Sequence, residues 1–260
     1  MTVFEITPHP FDNNELPLNK DEIRRAGETK CKDIADSWKK IKCYKFGGNK
    51  LQKDGEDICV QTYTTTQDSG FWMSRISKHI VKKDTYFKLV RYLNGSNYNL
   101  ETKKWVLTDR AYRSRLEIEY IEVLNKFEIL EETDSGWILV NLEYELGKPL
   151  TTREFNEWVY PIEPYISEET GLETSMIVCL RANRPLKEST IDKRHTMAYY
   201  ASVEKLEYDY KNESLTWTMC TSSDAGGNVP KWLQNATISK TVAKDVPYLF
   251  DYVLKKSYSK

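Results

Sequence analysis

The clearest pattern of polar and apolar positions lies near the end of the chain. Leu215, Trp217 and Met219 alternate with Ser214, Thr216 and Thr218, the period of two that a half-buried strand requires. The run Ser222-Ser223-Asp224-Ala225-Gly226-Gly227-Asn228 then reads as a turn that ends the ladder. From Val229 the apolar positions become Trp232, Leu233, Ala236, Val242, Ala243, Val246, Leu249, Phe250, Val253 and Leu254, spaced at threes and fours. That predicts one amphipathic helix to the C-terminus, roughly 40 Å long at about 1.5 Å per residue. Such a rod can cross a whole sheet face, yet a single helix does not close both the mouth and the middle of a wide curved sheet. A space between the two is expected.

Upstream, residues 1–18 hold three prolines and little periodicity, as an extended surface arm would. A helix is expected from an Asn19 N-cap through Ile23, Ala26, Ile34 and Trp38 to the Gly47-Gly48 break. Ile58–Thr65 and Phe71–Ile80, joined at Asp68-Ser69-Gly70, read as a hairpin. Asp84 can cap a helix carrying Tyr86, Phe87, Leu89, Val90 and Leu93, stopped at Asn94-Gly95. Asp109–Tyr120 reads as another helix. Strands follow at Val123–Ile129 and at Ile138–Leu146, with Asp134-Ser135-Gly136 as the turn between them. Thr152–Trp158 reads as a short helix and Pro161 with Pro164 as a loop. Met176–Ala182 and Met197–Tyr210 close the set, the second changing apolar parity between Val203 and Leu206 as a bulge would. The expectation is an α+β fold with about seven antiparallel strands. Without repeats or linkers it forms one domain over 1–260, with an arm and helix over 1–55 and a core over 56–260.

Composition changes this picture little. With 40% hydrophobic and 30% charged residues the chain is an ordinary globule, and 38 basic against 39 acidic side chains supply no field to recruit nucleic acid. Five scattered cysteines, an odd number, fit reduced thiols and a cytoplasmic setting. Glu5, His9 and Asp12 interrupt any leader-like start, and no apolar run approaches the ~20 residues of a membrane span. The triplets at Asn94, Asn212 and Asn235 then carry no glycosylation meaning. Only His9, His79 and His195 are present, with no His-Glu-x-x-His, Cys-x-x-Cys or Gly-x-Ser-x-Gly spacing. No metal, cofactor or serine nucleophile is expected.

The segment from Thr221 through Gly226 and Gly227 to Pro230, Lys231 and Trp232 resembles the junction before the last helix of START-like, StAR-related lipid-transfer domains. Tyr200-Ala201-Ser202-Val203-Glu204 and Trp217-Thr218-Met219 sit where that superfamily places its last two strands. Phe71–His79 and Lys148–Phe155 are similar to an uncharacterised fungal branch of it. The likeness spans roughly residues 60–257; its one specific motif is the glycine junction, and residues 1 to about 55 depart from it. It implies a helix-grip fold, a curved antiparallel sheet around the C-terminal helix that encloses an apolar tunnel. It also implies binding of a sterol, phospholipid, ceramide or other hydrophobic ligand, often carried between membranes.

Candidate ligand contacts follow from strand parity. Met73, Arg75 and His79 share one face of their strand, and if that face lines the tunnel Arg75 can hold a phosphate or carboxylate head. In the opposite reading Trp72, Ile76 and Ile80 point inward and Arg75 is a solvated strand arginine. His195 and Tyr199 offer hydrogen bonds to a hydroxyl or serve the structure, and Trp217 and Met219 belong to tunnel wall or core. Gly226, Gly227, Pro230, Trp232 and Pro247 form a candidate gate, with Pro247 kinking the helix into a lid. Lys231, Lys240, Lys244, Lys255, Lys256 and Lys260 give that helix a basic side, a solvated face or a docking face for anionic lipid. Binding of a lipid or other hydrophobe is the expected function. A cyclase- or hydrolase-like enzyme using the same cavity, and an interaction module with a collapsed one, are the alternatives.

Overall fold

The computed structural model describes residues 4–67, 70–145, 147, 151–187, 195–229 and 231–258. Asp68, Ser69, Leu146, Lys148, Pro149, Leu150, Pro230 and Lys260, and the side chains of Lys231, Trp232, Leu233 and Ala236, lie outside the described residues.

Eleven strands and five helices carry the described chain. Helix α1 (Lys20–Lys30) starts where Asn19 accepts from the Asp21 amide at 2.8 Å, as expected. It does not run on to Gly47. The chain leaves α1 at Cys31, turns through Asp33 at φ 51, makes the single-turn α2 (Ile34–Ser37) and enters β1 (Lys39–Phe46). Strand β1 escapes a sequence reading because almost every position is exposed, and its lysines are what an unpaired sheet edge tolerates. Strands β2 (Ile58–Gln67) and β3 (Gly70–Ile80) pair antiparallel, followed by α3 (Lys83–Asn94). Asp84 lies in the first turn of α3 and Lys82 holds the cap position, while Gly95 ends the helix at φ 84. A small pair, β4 (Ser96–Asn99) and β5 (Lys104–Leu107), and helix α4 (Tyr112–Glu117) come next.

The remaining strands are β6 (Leu124–Glu132), β7 (Ile138–Tyr144), β8 (Arg153–Ile166), β9 (Glu173–Arg181), β10 (Thr196–Asp209) and β11 (Ser214–Asp224). The chain closes with α5 (Lys231–Tyr258), 28 residues that run as one helix through Pro247. The main sheet has nine strands rather than about seven, in the order β1-β2-β3-β11-β10-β9-β8-β7-β6. Its neighbours are antiparallel, and a short parallel pairing joins Arg153–Phe155 of β8 to Thr196–Ala198 of β10.

Both faces of this sheet are covered, which explains most departures from the sequence reading. One face meets α3 and α5 in a core holding Val140, Val159, Leu206, Trp217 and Phe250. The other meets the N-terminal arm and α1 in a second core holding Ile6, Ile23, Trp72, Trp137 and Val203. In β10 the register with β11 is unbroken from Tyr199 to Asp209, so no bulge separates Val203 from Leu206. The parity changes because the apolar load passes from one face to the other. Residues 152–158 are not a helix but the start of β8, whose apolar positions fill both faces and so lose the alternation of a half-buried strand. Pro161 and Pro164 lie inside that strand. Pairing with β7 ends at Val159, so neither needs a donor there, and the register with β9 shifts between Ile162 and Tyr165.

Ser222, Ser223 and Asp224 still pair with β10, so the turn begins only at Ala225. Gly226 and Gly227 have φ 63 and 62, and Asp224 accepts from the Gly226 amide at 2.8 Å. A Cβ on Gly226 would stand 2.1 Å from the Met197 carbonyl oxygen. Gly226→Ala is therefore expected to cost about 2 kcal/mol, from left-handed strain and the clash together. An unchanged urea midpoint would refute this.

Candidate functional site

Helix α5 lies over the inward face of the sheet, and the two do not fill the space between them. A cavity of about 270 Å³ remains, bordered by α4, β7, β8, β10, β11 and α5. Strand alternation selects its walls: Leu142 and Tyr144 from β7, Phe155 and Glu157 from β8, Tyr200 and Glu204 from β10, Trp217 and Met219 from β11. Ile238, Val242, Asp245 and Leu249 line it from α5 at steps of three and four. Helix α4 adds Arg113 and Glu117, one turn apart.

The polar content is mostly a buried ion cluster. Glu204 accepts from Arg75 Nη2 at 2.5 Å, from Arg113 Nη2 at 3.2 Å and from Trp217 Nε1 at 2.9 Å. Arg113 also pairs with Glu117 at 3.0 Å, and the Arg75 guanidinium stacks 4.3 Å from the Trp217 ring centre. Burial opposes the charge on Arg113, but Glu117 and Glu204 outweigh it and hold its pKa above the usual range. Burial raises Glu117, with Arg113 opposing. Two further carboxyls reach the cavity. Glu157 is pushed up to about 8 by burial and by the neighbouring Glu117, and Asp245 to about 7, mainly by burial. Burial likewise raises the phenols of Tyr120, Tyr144 and Tyr200. The site can thus enclose hydrocarbon while presenting ionisable groups at neutral pH.

Of the residues singled out from sequence, Trp217 and Met219 stand in the cavity wall. Met73 packs on Met219 and Val242. Arg75 is on the inward face and fully buried, committed to Glu204 and Trp217 rather than bordering the cavity. His79, on the same face, meets Gln52 and Ser77 and packs on Phe250 at 4.7 Å; burial and Arg75 lower its pKa to about 3. Tyr199 sits under Arg181 at 3.4 Å, and His195 is 3.3 Å from Glu154; neither borders the cavity. Arg113, Glu117, Glu157, Glu204 and Asp245 were not picked out from sequence. Asp245 had a signal, a charge set in the apolar stripe between Val242 and Leu249, and Glu204 another, as an inward position of β10 two before Leu206.

A large antiparallel sheet gripping a long C-terminal helix is the helix-grip fold of the START-like superfamily. Human STARD10 shares it at 11% identity and a TM-score of 0.60, over 92% of this chain and 81% of that one. Human StAR-related lipid transfer protein 5 does so at 10% identity and a TM-score of 0.58, over 92% of this chain and 100% of that one. The human StarD13 (DLC2) lipid transfer and protein localization domain aligns at 12% identity and a TM-score of 0.51, over 91% and 98%. The chain belongs to the family described as "Protein of unknown function (DUF3074)", which it matches over residues 72–253. A comparison with curated proteins found no match. Among the described residues no helix is long and apolar enough to cross a membrane.

Proposed function

We propose that the protein binds one lipid or other hydrophobic small molecule between the sheet and α5, and carries it between membranes. The observation that carries this reading is the 270 Å³ cavity, with hydrocarbon walls and a few polar groups, under the 28-residue helix α5. Its size is just below the ~300–1,000 Å³ of ligand sites, which favours a single-chain or compact ring guest. Covering such a guest returns roughly 25 cal/mol for each Å² of apolar surface removed from water. Two of the structural neighbours are named for lipid transfer, and this supports the same class of ligand here. Gly226 and Gly227 lie where α5 joins β11 and serve as the hinge of the gate. Exposed Lys240, Lys255 and Lys256 give α5 a basic side for transient contact with an anionic cytoplasmic membrane face.

The test is mass spectrometry of organic extracts from the purified full chain. A stoichiometric hydrophobic guest is expected. Val242→Trp, which places a ring in the cavity from α5, should lower that occupancy about tenfold, the loss of about 1.4 kcal/mol of binding. Its melting temperature should hold, because the ring enters empty space. No guest in the extract and no uptake of dodecanol by the wild-type chain would sink the reading.

A further inference from the structure

We infer that the guest is a cationic amphiphile whose ammonium head is held by Glu157 and Asp245; this rests on the binding reading above and names its ligand class. The charges around the cavity do not balance once every carboxyl that lines it is ionised. Arg113 and Arg75 are the guanidiniums of the cluster, and Glu117 and Glu204 already answer them. That leaves Glu157 and Asp245, for which the described residues supply neither an ion pair nor a hydrogen bond. Glu157 is 4% exposed and lines the cavity from β8, beside Phe155. Asp245 lines it from α5, so the two acids reach the same hollow from sheet and helix.

A buried carboxylate without a partner, as Glu157 is, is expensive, and a guest that supplies the partner to it and to the half-buried Asp245 gains what the empty protein lacks. An ammonium carries the required charge and three N–H donors, enough for both acids at once. Leu142, Val242 and Leu249 receive the hydrocarbon tail. A phosphate or carboxylate head would instead add a negative charge beside these two acids and raise them further, and Arg113, the only cation among the described lining residues, is already engaged twice.

The pH dependence distinguishes this from hydrogen bonding by neutral acids. The groups facing the pair are Glu117, Arg113, Glu204 and Arg75, together with Tyr120, Tyr144 and Tyr200, whose phenols burial keeps protonated. In the empty cavity Asp245 and Glu157 hold protons up to about pH 7 and about pH 8. An ammonium binds the ionised forms, so its capture releases protons and tightens as pH rises through those values, by at most about tenfold per unit for each proton released. An alcohol bound by the protonated acids would weaken over the same range.

Dodecylamine, dodecanol and dodecanoate, titrated calorimetrically into the delipidated full chain below their micelle thresholds, test this. Dodecylamine should bind about tenfold tighter than dodecanol, as expected for a charge-assisted hydrogen bond, and dodecanoate weakest. Proton release should appear as a heat that depends on the buffer's ionisation enthalpy. Glu157→Gln, isosteric and neutral, should lower dodecylamine affinity by about tenfold and change dodecanol affinity by less than about threefold. Asp245→Asn should act in the same direction, and melting curves of both variants report folding. Equal binding of the three probes, preference for dodecanoate, or dodecanol matching the amine overturns the ammonium assignment while binding itself stands. If none of the three binds and extracts hold no guest, the binding reading fails with it.

Discussion

Replacing Glu204 with leucine should lower the melting temperature by roughly 10 °C, the largest loss expected from any single change to the cavity wall. The carboxylate answers two arginines and the Trp217 indole at once. Arg75 is wholly buried, and its Nε and Nη1 already lack partners, so Glu204 is what keeps that charge tolerable. Removing one member of a buried ion pair costs about 3–5 kcal/mol, because the survivor is stranded in low dielectric. For a chain of this size each kcal/mol moves the midpoint by about 2–4 °C. The paired change Glu204→Leu with Arg75→Met should recover part of the loss, since well-packed apolar replacement of a whole buried pair is often neutral. Arg113 keeps Glu117 in both variants. A fall below about 3 °C for Glu204→Leu would show that the cluster is not structural.

Stability should also decline towards alkaline pH, and Glu157→Gln should flatten that decline. Burial, then the charge of Glu117, lifts Glu157 from 4.5 to about 8, while Arg113 opposes. Between those values the folded chain keeps a proton that the unfolded chain gives up, so the contribution is complete below about 4.5 and is lost as pH rises through about 8. The slope is about 1.4 kcal/mol per pH unit, and the whole effect is on the order of 5 kcal/mol. Asp245, lifted to about 7, adds a loss of the same sign. His79 acts oppositely: lowered from 6.5 to about 3, it costs stability as pH falls below 6.5. Urea midpoints of wild type and Glu157→Gln across this range should coincide near the acid end and diverge upward, with the variant more stable at alkaline pH. Parallel curves would remove Glu157 from the account.

The fold was legible wherever one face of an element is buried and the other wet. The alternation of Leu215, Trp217 and Met219 and the stripe from Val242 to Val253 mark β11 and α5 because solvent lies opposite, or a polar row does. Strand β8 was opaque because Phe155 and Val159 fill one core while Trp158 and Tyr160 fill the other, and β1 because hardly anything in it is buried. Parity puts Trp217 and Met219 on one face of β11 but does not separate core from cavity wall; the structure places both in the wall. The wall's acids were not legible. Glu157 fell in a segment read as helix, and the partners that give Glu204 meaning come from β3 and α4, far away in sequence. Tyr199, left open between a hydroxyl contact and a structural role, stacks under Arg181, while its neighbour Tyr200 lines the cavity, because one residue along a strand exchanges one face for the other.

The layer behind the sheet has a consequence for anyone dividing this chain. Ile6, Leu16, Ile23, Ile34 and Trp38 shelter Trp72, Trp137 and Trp158, and all of them precede the stretch that matches the family. A fragment trimmed to residues 72–253 would also lose β1 and β2, leaving β3 as a naked rim and three indoles facing water. Such a piece would stick to itself before it could be assayed, so its failure in an uptake experiment would say nothing about the chamber it still encloses.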